Sequence, residues 1–309
     1  MGFLVILFSI LKNAIYGLSV FFTGNLTNSI DILDLLALRF IISFLALFIL
    51  KCTKLIKIEI GVKDIFCQTS RSKHMKTLLL TGIFEPVLYM FFETAGISMT
   101  TGITAGVILA LSPIFSCICE SVFLKEKSTF SKNIFLGIGI VGVIYIAANT
   151  NTSDGKNTVI GIIFVFLAVI SGQMYAVFSR KSSKHFSTFE VTYITCALGA
   201  IVFNFINFVR HAVNGNLLHY FDPLFDINNL VGFLYLGILS TIIATAMNNY
   251  ALSKVQVSSM AAFGGISTLT TIVADILLNG EKLYTFQIIG ITLIFIRMVG
   301  ASYLDIKKK

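Results

Sequence analysis

Glu85, Tyr89 and Glu93 stand at i, i+4 and i+8 in TLLLTGIFEPVLYMFFETAGI, an otherwise apolar stretch. On an α-helix that spacing puts all three on one face, spread over roughly 12 Å of its axis. Carboxylates are costly in apolar surroundings, so they face a cavity or a partner. Glu85 falls near the middle of the stretch. Pro86 behind it removes a backbone donor and can kink the helix. A carboxyl group there could take up a proton, hold an ammonium group of a ligand, or form a structural ion pair with Lys12 or Arg39. Glu93 has the same choices nearer the end of the stretch.

Other polar groups fall in apolar runs. Lys12, Asn13 and Tyr16 form a strip in the run at 3–24, with Lys12 near its middle. A Lys12–Glu85 salt bridge would suit a contact that substrate or proton breaks. The alternative is a Lys12 at the cytoplasmic edge. Thr241, Thr245 and Asn248 stand at i, i+4 and i+7, with Asn249 and Tyr250 adjacent. They could recognise a polar ligand without fixed charge, or bond neighbouring helices at about 0.6–2 kcal/mol each. Gln173 and Tyr175 are two apart, so at most one of them is expected to face the same cavity.

These residues need membrane-crossing elements to position them. The chain has 309 residues, 56% hydrophobic and 12% charged. Soluble domains carry about a quarter charged residues. Ten apolar segments run at 3–24, 32–50, 77–97, 102–124, 133–149, 158–179, 188–209, 229–251, 255–278 and 283–304. Each has roughly the 17–25 residues that cross a bilayer as a helix. The first, without a basic flank and longer than a signal core, reads as a span rather than a cleaved leader.

Charge orients the spans. With the N-terminus in the cytoplasm, 17 of the 23 Lys and Arg residues fall in cytoplasmic connections. Lys156, Arg210 and Lys282 fall outside, and Lys12, Arg39 and Arg297 within segments. This split predicts both termini in the cytoplasm. It also accounts for the net charge of +8 without nucleic acid as a partner, and makes anionic lipid headgroups the expected one. His74, His185, His211 and His219 all fall in predicted loops, and no His/Cys/acid cluster has metal spacing. None of the five cysteines lies in a predicted outer loop, so no disulfide is expected.

The chain also repeats. Ser112–Lys127 returns in outline 155 residues later as Ser267–Lys282, pairing Glu120 with Asp275 and Glu126 with Glu281. The polar stretch 150–157 divides a first unit, 1–149, from a second, 158–309. With five spans in each, the second unit enters the membrane inverted, an architecture of carriers. Glu120 and Asp275 then take equivalent places at opposite gates, with Arg39 or Arg297 as partners. Glu126 and Glu281 would cap the helices that follow them. Pro113 would bend segment 4, and Gly102 and Gly106 would allow close packing.

Several stretches together carry a family resemblance: Leu38-Arg39-Phe40, Ala95 to Glu126 with its mid-helix Pro113, GIIFVFLAVISGQMYAVFSRK at 161–181, Ala251 to Lys282 ending Gly280-Glu281, and Gly290. In this order the chain resembles the drug/metabolite transporter superfamily, specifically its ten-helix EamA-type carriers. The resemblance implies an all-α membrane protein of two inverted five-helix repeats. Its cavity would be lined by helices 1, 3, 4, 6, 8 and 9. It further implies carriage of a small metabolite, often an amino acid, out of the cytoplasm.

The reading is thus a secondary transporter working by alternating access. Its substrate site comprises Lys12, Asn13, Tyr16, Glu85, Tyr89, Glu93, Gln173, Tyr175, Thr245, Asn248 and Asn249. Arg39, Pro113, Glu120, Glu126, Asp275, Glu281 and Arg297 serve gates or structure. A proton could be the coupling ion. No cofactor or metal is expected, and there is no phosphate-binding GxxxxGK[ST] motif. The residues leave the oligomeric state open. A carrier of anionic metabolites, using Lys12, Arg39 and Arg297, is the main alternative. A non-transporting scaffold or sensor is another. A membrane enzyme would need a catalytic constellation at one depth, and the segments offer none.

Overall fold

The computed structural model describes residues 3–60, 72–109, 111–124, 158–261 and 263–280, with isolated helical positions at 141, 145 and between 285 and 296. The linker 150–157, most of segments 5 and 10, and Glu126, Glu281 and Arg297 lie outside the described residues.

The described chain is helical. Segments 1 and 2 form α1 (Phe3–Leu26) and α2 (Ile32–Cys52). Segment 3 is α3 (Ser72–Gly82), a π-helical stretch at Ile83–Leu88, and α4 (Tyr89–Ser98). Segment 4 is α5 (Gly102–Leu109) and α6 (Ser112–Cys119). In the second half, α7 (Val159–Ser182) and α8 (Thr188–Val213) are continuous. Segment 8 is α9 (Ile227–Leu234), a π-helical stretch at Tyr235–Ala244, and α10 (Thr245–Lys254). Segment 9 is α11 (Val257–Ala261) and α12 (Gly264–Asn279). Segments 1, 2, 3, 6, 7 and 8 are each apolar and long enough to cross a membrane.

Segments 3 and 8 carry the π-helical stretches, and segments 4 and 9 also depart from the single long helices expected. Segment 4 has a turn at Leu111 and restarts with Pro113 in its first turn. That is where a missing N–H costs least. Segment 9 restarts at Gly264-Gly265, where two glycines weaken helix propensity. The second departure is at the end of segment 7. The helix runs past 209 to Val213 and takes His211 out of the predicted loop into a buried position.

Packing follows the repeat. Segment 1 lies against segments 8 and 9, and segment 6 against segments 3 and 4. Segments 2 and 7 pack on each other, as do segments 4 and 9. Exchanging the halves maps this set of contacts onto itself. Counterpart helices also run in opposite directions. Val5 near the start of α1 shares a cluster with Ala176 near the end of α7. Val20 near the end of α1 shares another with Val165 near the start of α7. The two halves are therefore inverted copies.

One crossing needs a glycine. A Cβ on Gly17 would lie 2.4 Å from the Ser267 carbonyl oxygen, so α1 and α12 touch backbone to backbone. Gly106 has ordinary room, with its nearest neighbour at 3.7 Å, so the tight approach expected there falls at Gly17 instead.

Candidate functional site

A cavity of about 140 Å³ lies between the halves. That is about ten times the space one water requires. Segment 1 contributes Lys12, Asn13 and Tyr16, and segment 3 contributes Glu85, Tyr89 and Glu93. Gln173 and Tyr175 come from α7 and Asn248 from α10. Ser112, Ser267 and Thr268 complete the wall from the broken segments.

The helix break in segment 3 sits at the site. Glu85 takes φ −144° and ψ 117°, an extended conformation inside a helical segment. Non-helical backbone at membrane depth survives where it lines a cavity or is buried in protein. Among the described residues the Glu85 carboxylate makes no hydrogen bond. Lys12, its expected partner, donates instead to Asn248 Oδ1 at 2.6 Å. Both charged groups line the cavity without forming the anticipated ion pair. Glu93 is held differently and accepts the Tyr89 hydroxyl hydrogen at 2.6 Å.

Arg39, expected at a gate, lines this cavity. Its side chain is fully buried. Nε donates to Thr241 Oγ1 at 2.8 Å, and Nη2 donates to Ser240 Oγ at 3.2 Å. Nη1 is buried with no hydrogen-bond acceptor. Both hydroxyls come from the π-helical stretch of segment 8, whose wide turn presents two successive side chains to one guanidinium. A lone cation inside LLALRFIISF was the sequence signal for this role.

The 155-residue register reaches the site too. It pairs Glu85 with Ser240 and Glu93 with Asn248, and sets the two π-helical stretches over each other. It pairs Lys12 with Leu167 and Arg39 with Ile194. Among the described residues, the four charged groups of the cavity therefore come from the first half, and their counterparts are neutral.

Four other expectations are revised. Gln173 and Tyr175 both line the cavity, where one was expected. Gly172 and Ala176 lie between them on the helix surface and are small enough for the cavity to wrap about 160° of α7. Asn249 is not on the cavity wall. Its Oδ1 accepts from Tyr175 and Ser179 at 2.6 and 2.7 Å, and its Nδ2 donates to Thr192 at 3.1 Å. Thr245 is buried beside the cavity, 3.3 Å from the Tyr16 hydroxyl. Glu120 pairs with Arg180 at 3.4 Å, not with Arg39, and accepts the Val257 N–H at 2.6 Å. Arg180 closes α7, so it reaches that end of segment 4, whereas Arg39 is held at mid-depth by segment 8. Asp275 accepts from Asn279 at 3.2 Å.

A second void, about 380 Å³, lies at the other end of segments 1, 3 and 9. Asn25, Asn28, Ser98, Thr100 and Asn279 line it, and Val20 is common to both spaces.

The EamA-like transporter family model matches residues 3–148 and again 159–303. An uncharacterized transporter of Bacillus subtilis, YcxC, is 30% identical over 97% of this chain and 93% of its own length. An uncharacterized transporter of Archaeoglobus fulgidus is 24% identical over 77% of this chain and 79% of its own. One solved crystal structure superposes with a TM-score of 0.65 over 99% of this chain and 98% of the other, at 16% identity, a likeness of fold alone.

Proposed function

The chain belongs to the EamA-like transporter family, a membrane transporter family, and from that premise we propose that it is a secondary carrier of a small zwitterionic metabolite, an amino acid or a close relative. The observation that carries this reading is a pair of unmatched groups on one cavity. Among the described residues, Arg39 Nη1 is a buried donor with no acceptor, and the Glu85 carboxylate on the cavity wall accepts no hydrogen bond. A buried donor left unmatched is costly, and a carboxylate at membrane depth calls for a partner. A ligand with a carboxylate at one end and an ammonium at the other satisfies both. Tyr16, Gln173, Asn248 and the aromatic faces of Tyr89 and Tyr175 then read its side chain.

The inverted halves support an alternating-access cycle. The cavity opens to one side and then to the other as they rock. Glu85 exchanges substrate ammonium for a proton, so that the carrier returns with the Glu85 carboxyl neutral. The direction is export, in a bacterial plasma membrane, with both termini in the cytoplasm, a reading that the distribution of basic residues supports. A second reading, carriage of an anionic metabolite, draws on Lys12 and Arg39 lining the same cavity. Glu85 and Glu93 oppose it.

A thermal-shift screen of purified protein against amino acids, sugar phosphates and cationic compounds decides between them. An amino acid is expected to stabilise the wild type and to lose that effect in both Glu85→Gln and Arg39→Gln. Flux of that amino acid into proteoliposomes then tests transport itself. Stabilisation by phosphorylated compounds alone, unchanged in Glu85→Gln, would overturn the zwitterion reading. Binding without flux would favour a sensor.

A further inference from the structure

The loop between α8 and α9 has a held face and a free one. On the held face, Tyr220 is 7% exposed and donates its hydroxyl hydrogen to Asn204 Oδ1 at 2.7 Å. At the loop's root, Arg210 and His211 reach Asp34 of α2 at 2.6 and 2.7 Å. His211 Nδ1 lies 3.1 Å from the Asn216 carbonyl oxygen, tying the root to the loop itself. These contacts fix which way the loop faces. On the free face, Leu218 is 94% and Phe225 84% exposed, and Leu217 and Phe221 are exposed beside them. A run of large apolar side chains turned outward marks an interaction surface.

The helices that flank the loop indicate what covers this face. Ile201, Phe205 and Phe208 stand at i, i+4 and i+7 on α8, all exposed. Ile227, Val231 and Leu234 repeat that spacing on α9, also exposed. These are outward stripes of membrane-crossing helices, and they end on either side of the loop, with exposed Asn214 and Asn216 following the α8 stripe and exposed Asp226 preceding the α9 stripe. The apolar loop face therefore lies just beyond the lipid-facing stripes, at the depth where acyl chains meet headgroups. Between the helices the loop forms two short 3-10 turns, Leu217–His219 and Asp222–Leu224. Residues 212–226 contain no Lys or Arg, so attraction to anionic headgroups does not hold the loop there. Its charges are Asp222, paired with His219 at 2.6 Å, and Asp226, which caps α9.

We propose that residues 217–225 are an interfacial membrane anchor, with Leu217, Leu218, Phe221 and Phe225 seated at the acyl–headgroup boundary of the adjoining leaflet. Aromatic and aliphatic side chains on a polar-backed surface segment are what that boundary accepts. The anchor has a mechanical consequence. Through Asp34 its root grips α2, and α2 with α8 joins the two halves. The anchor thus sets the depth of the helix pair about which the rest of the bundle moves.

The sequence contains no tryptophan, so Leu218→Trp and Phe225→Trp each give a single fluorescent reporter at an exposed position. Each variant of the full chain is reconstituted into phosphatidylcholine vesicles, with and without brominated acyl chains. The expected result is a shift of emission to shorter wavelength, strong quenching by brominated lipid and little by aqueous iodide. Quenching by iodide without quenching by brominated lipid would place the loop in water and overturn the proposal. Protection from both quenchers would place it against protein, as between two copies, and would overturn it equally. None of these readouts depends on substrate, so failure here leaves the zwitterion reading standing, and the converse.

Discussion

Arg39 is held by two hydroxyls from one side and left with a free Nη1 on the other. A lysine at this position keeps the charge but is a point donor, and cannot grip Thr241 and Ser240 while reaching a ligand. Arg39→Lys is therefore expected to raise the ligand concentration for half-maximal thermal stabilisation by about 10–100-fold, the loss of one charged hydrogen bond of about 1.5–3 kcal/mol. Asn249→Ala is expected to behave oppositely. It strips the partner from Tyr175, Ser179 and Thr192, at a cost of about 1–3 kcal/mol in stability. The same titration on the variant should show a lowered Tm with an unchanged midpoint. The two asparagines of segment 8 show what sequence can resolve. Period and polarity brought Asn248 and Asn249 forward together, yet adjacent helical residues point about 100° apart. Only packing decided that Asn248 faces the cavity and Asn249 a neighbouring helix. Glu85, Tyr89 and Glu93 were legible because i, i+4, i+8 leaves one face to choose.

The elements owe their spacing to a few positions with no side chain. Gly17 lets α1 lie on the backbone of α12, and a Cβ there would meet both the Ser267 carbonyl oxygen and, at 2.7 Å, Thr270 Cβ. Neither is the end of a flexible chain. Gly17→Val is expected to lower stability by about 1–3 kcal/mol through overpacking, seen as a lower Tm in detergent. Gly106→Ala, with 3.7 Å of clearance, should leave Tm unchanged. A large drop for Gly106→Ala and none for Gly17→Val would reverse the assignment of the tight crossing. Apolar length placed the spans within a few residues of their observed ends. It could not place the breaks. Hydropathy is blind to backbone conformation, so the extended Glu85, the wide turns at Tyr235–Ala244 and the restart at Gly264 emerged only in three dimensions. Each adjoins the cavity, where local rules yield to the site.

At the scale of the molecule, a symmetric frame carries an asymmetric site. Inverted halves were legible from the repeated acids and the alternation of basic loops. That the first half supplies every charged cavity residue was not, because nothing in the repeat register says which copy keeps its charges. Under the alternating access proposed above, the two ends of this frame close in turn. Glu120 is placed to hold one of them. It joins the end of segment 4 to Arg180 at the end of segment 6 and to the first residue of α11 in segment 9. These three segments meet where the basic connections begin, and the contact crosses from one half to the other. If Glu120 serves as the proposed gate, opening that end breaks this contact. Glu120→Ala removes both contacts, and a charged hydrogen bond of about 1.5–3 kcal/mol would shift a closed–open balance by about 10–100-fold toward open. Glu120→Gln keeps an acceptor for the Val257 N–H and should move the balance less. Cys119, buried beside Glu120, reports the change, because its alkylation rate by a water-soluble maleimide follows the open fraction. The expected order of rates is Ala above Gln above wild type. Transport by the Ala variant should fall, because a carrier resting open at one end seldom presents its site at the other. Equal alkylation rates in all three would show that this end is closed by packing alone, and would move the gate to the apolar cluster of Val5, Ala176, Leu252 and Met260.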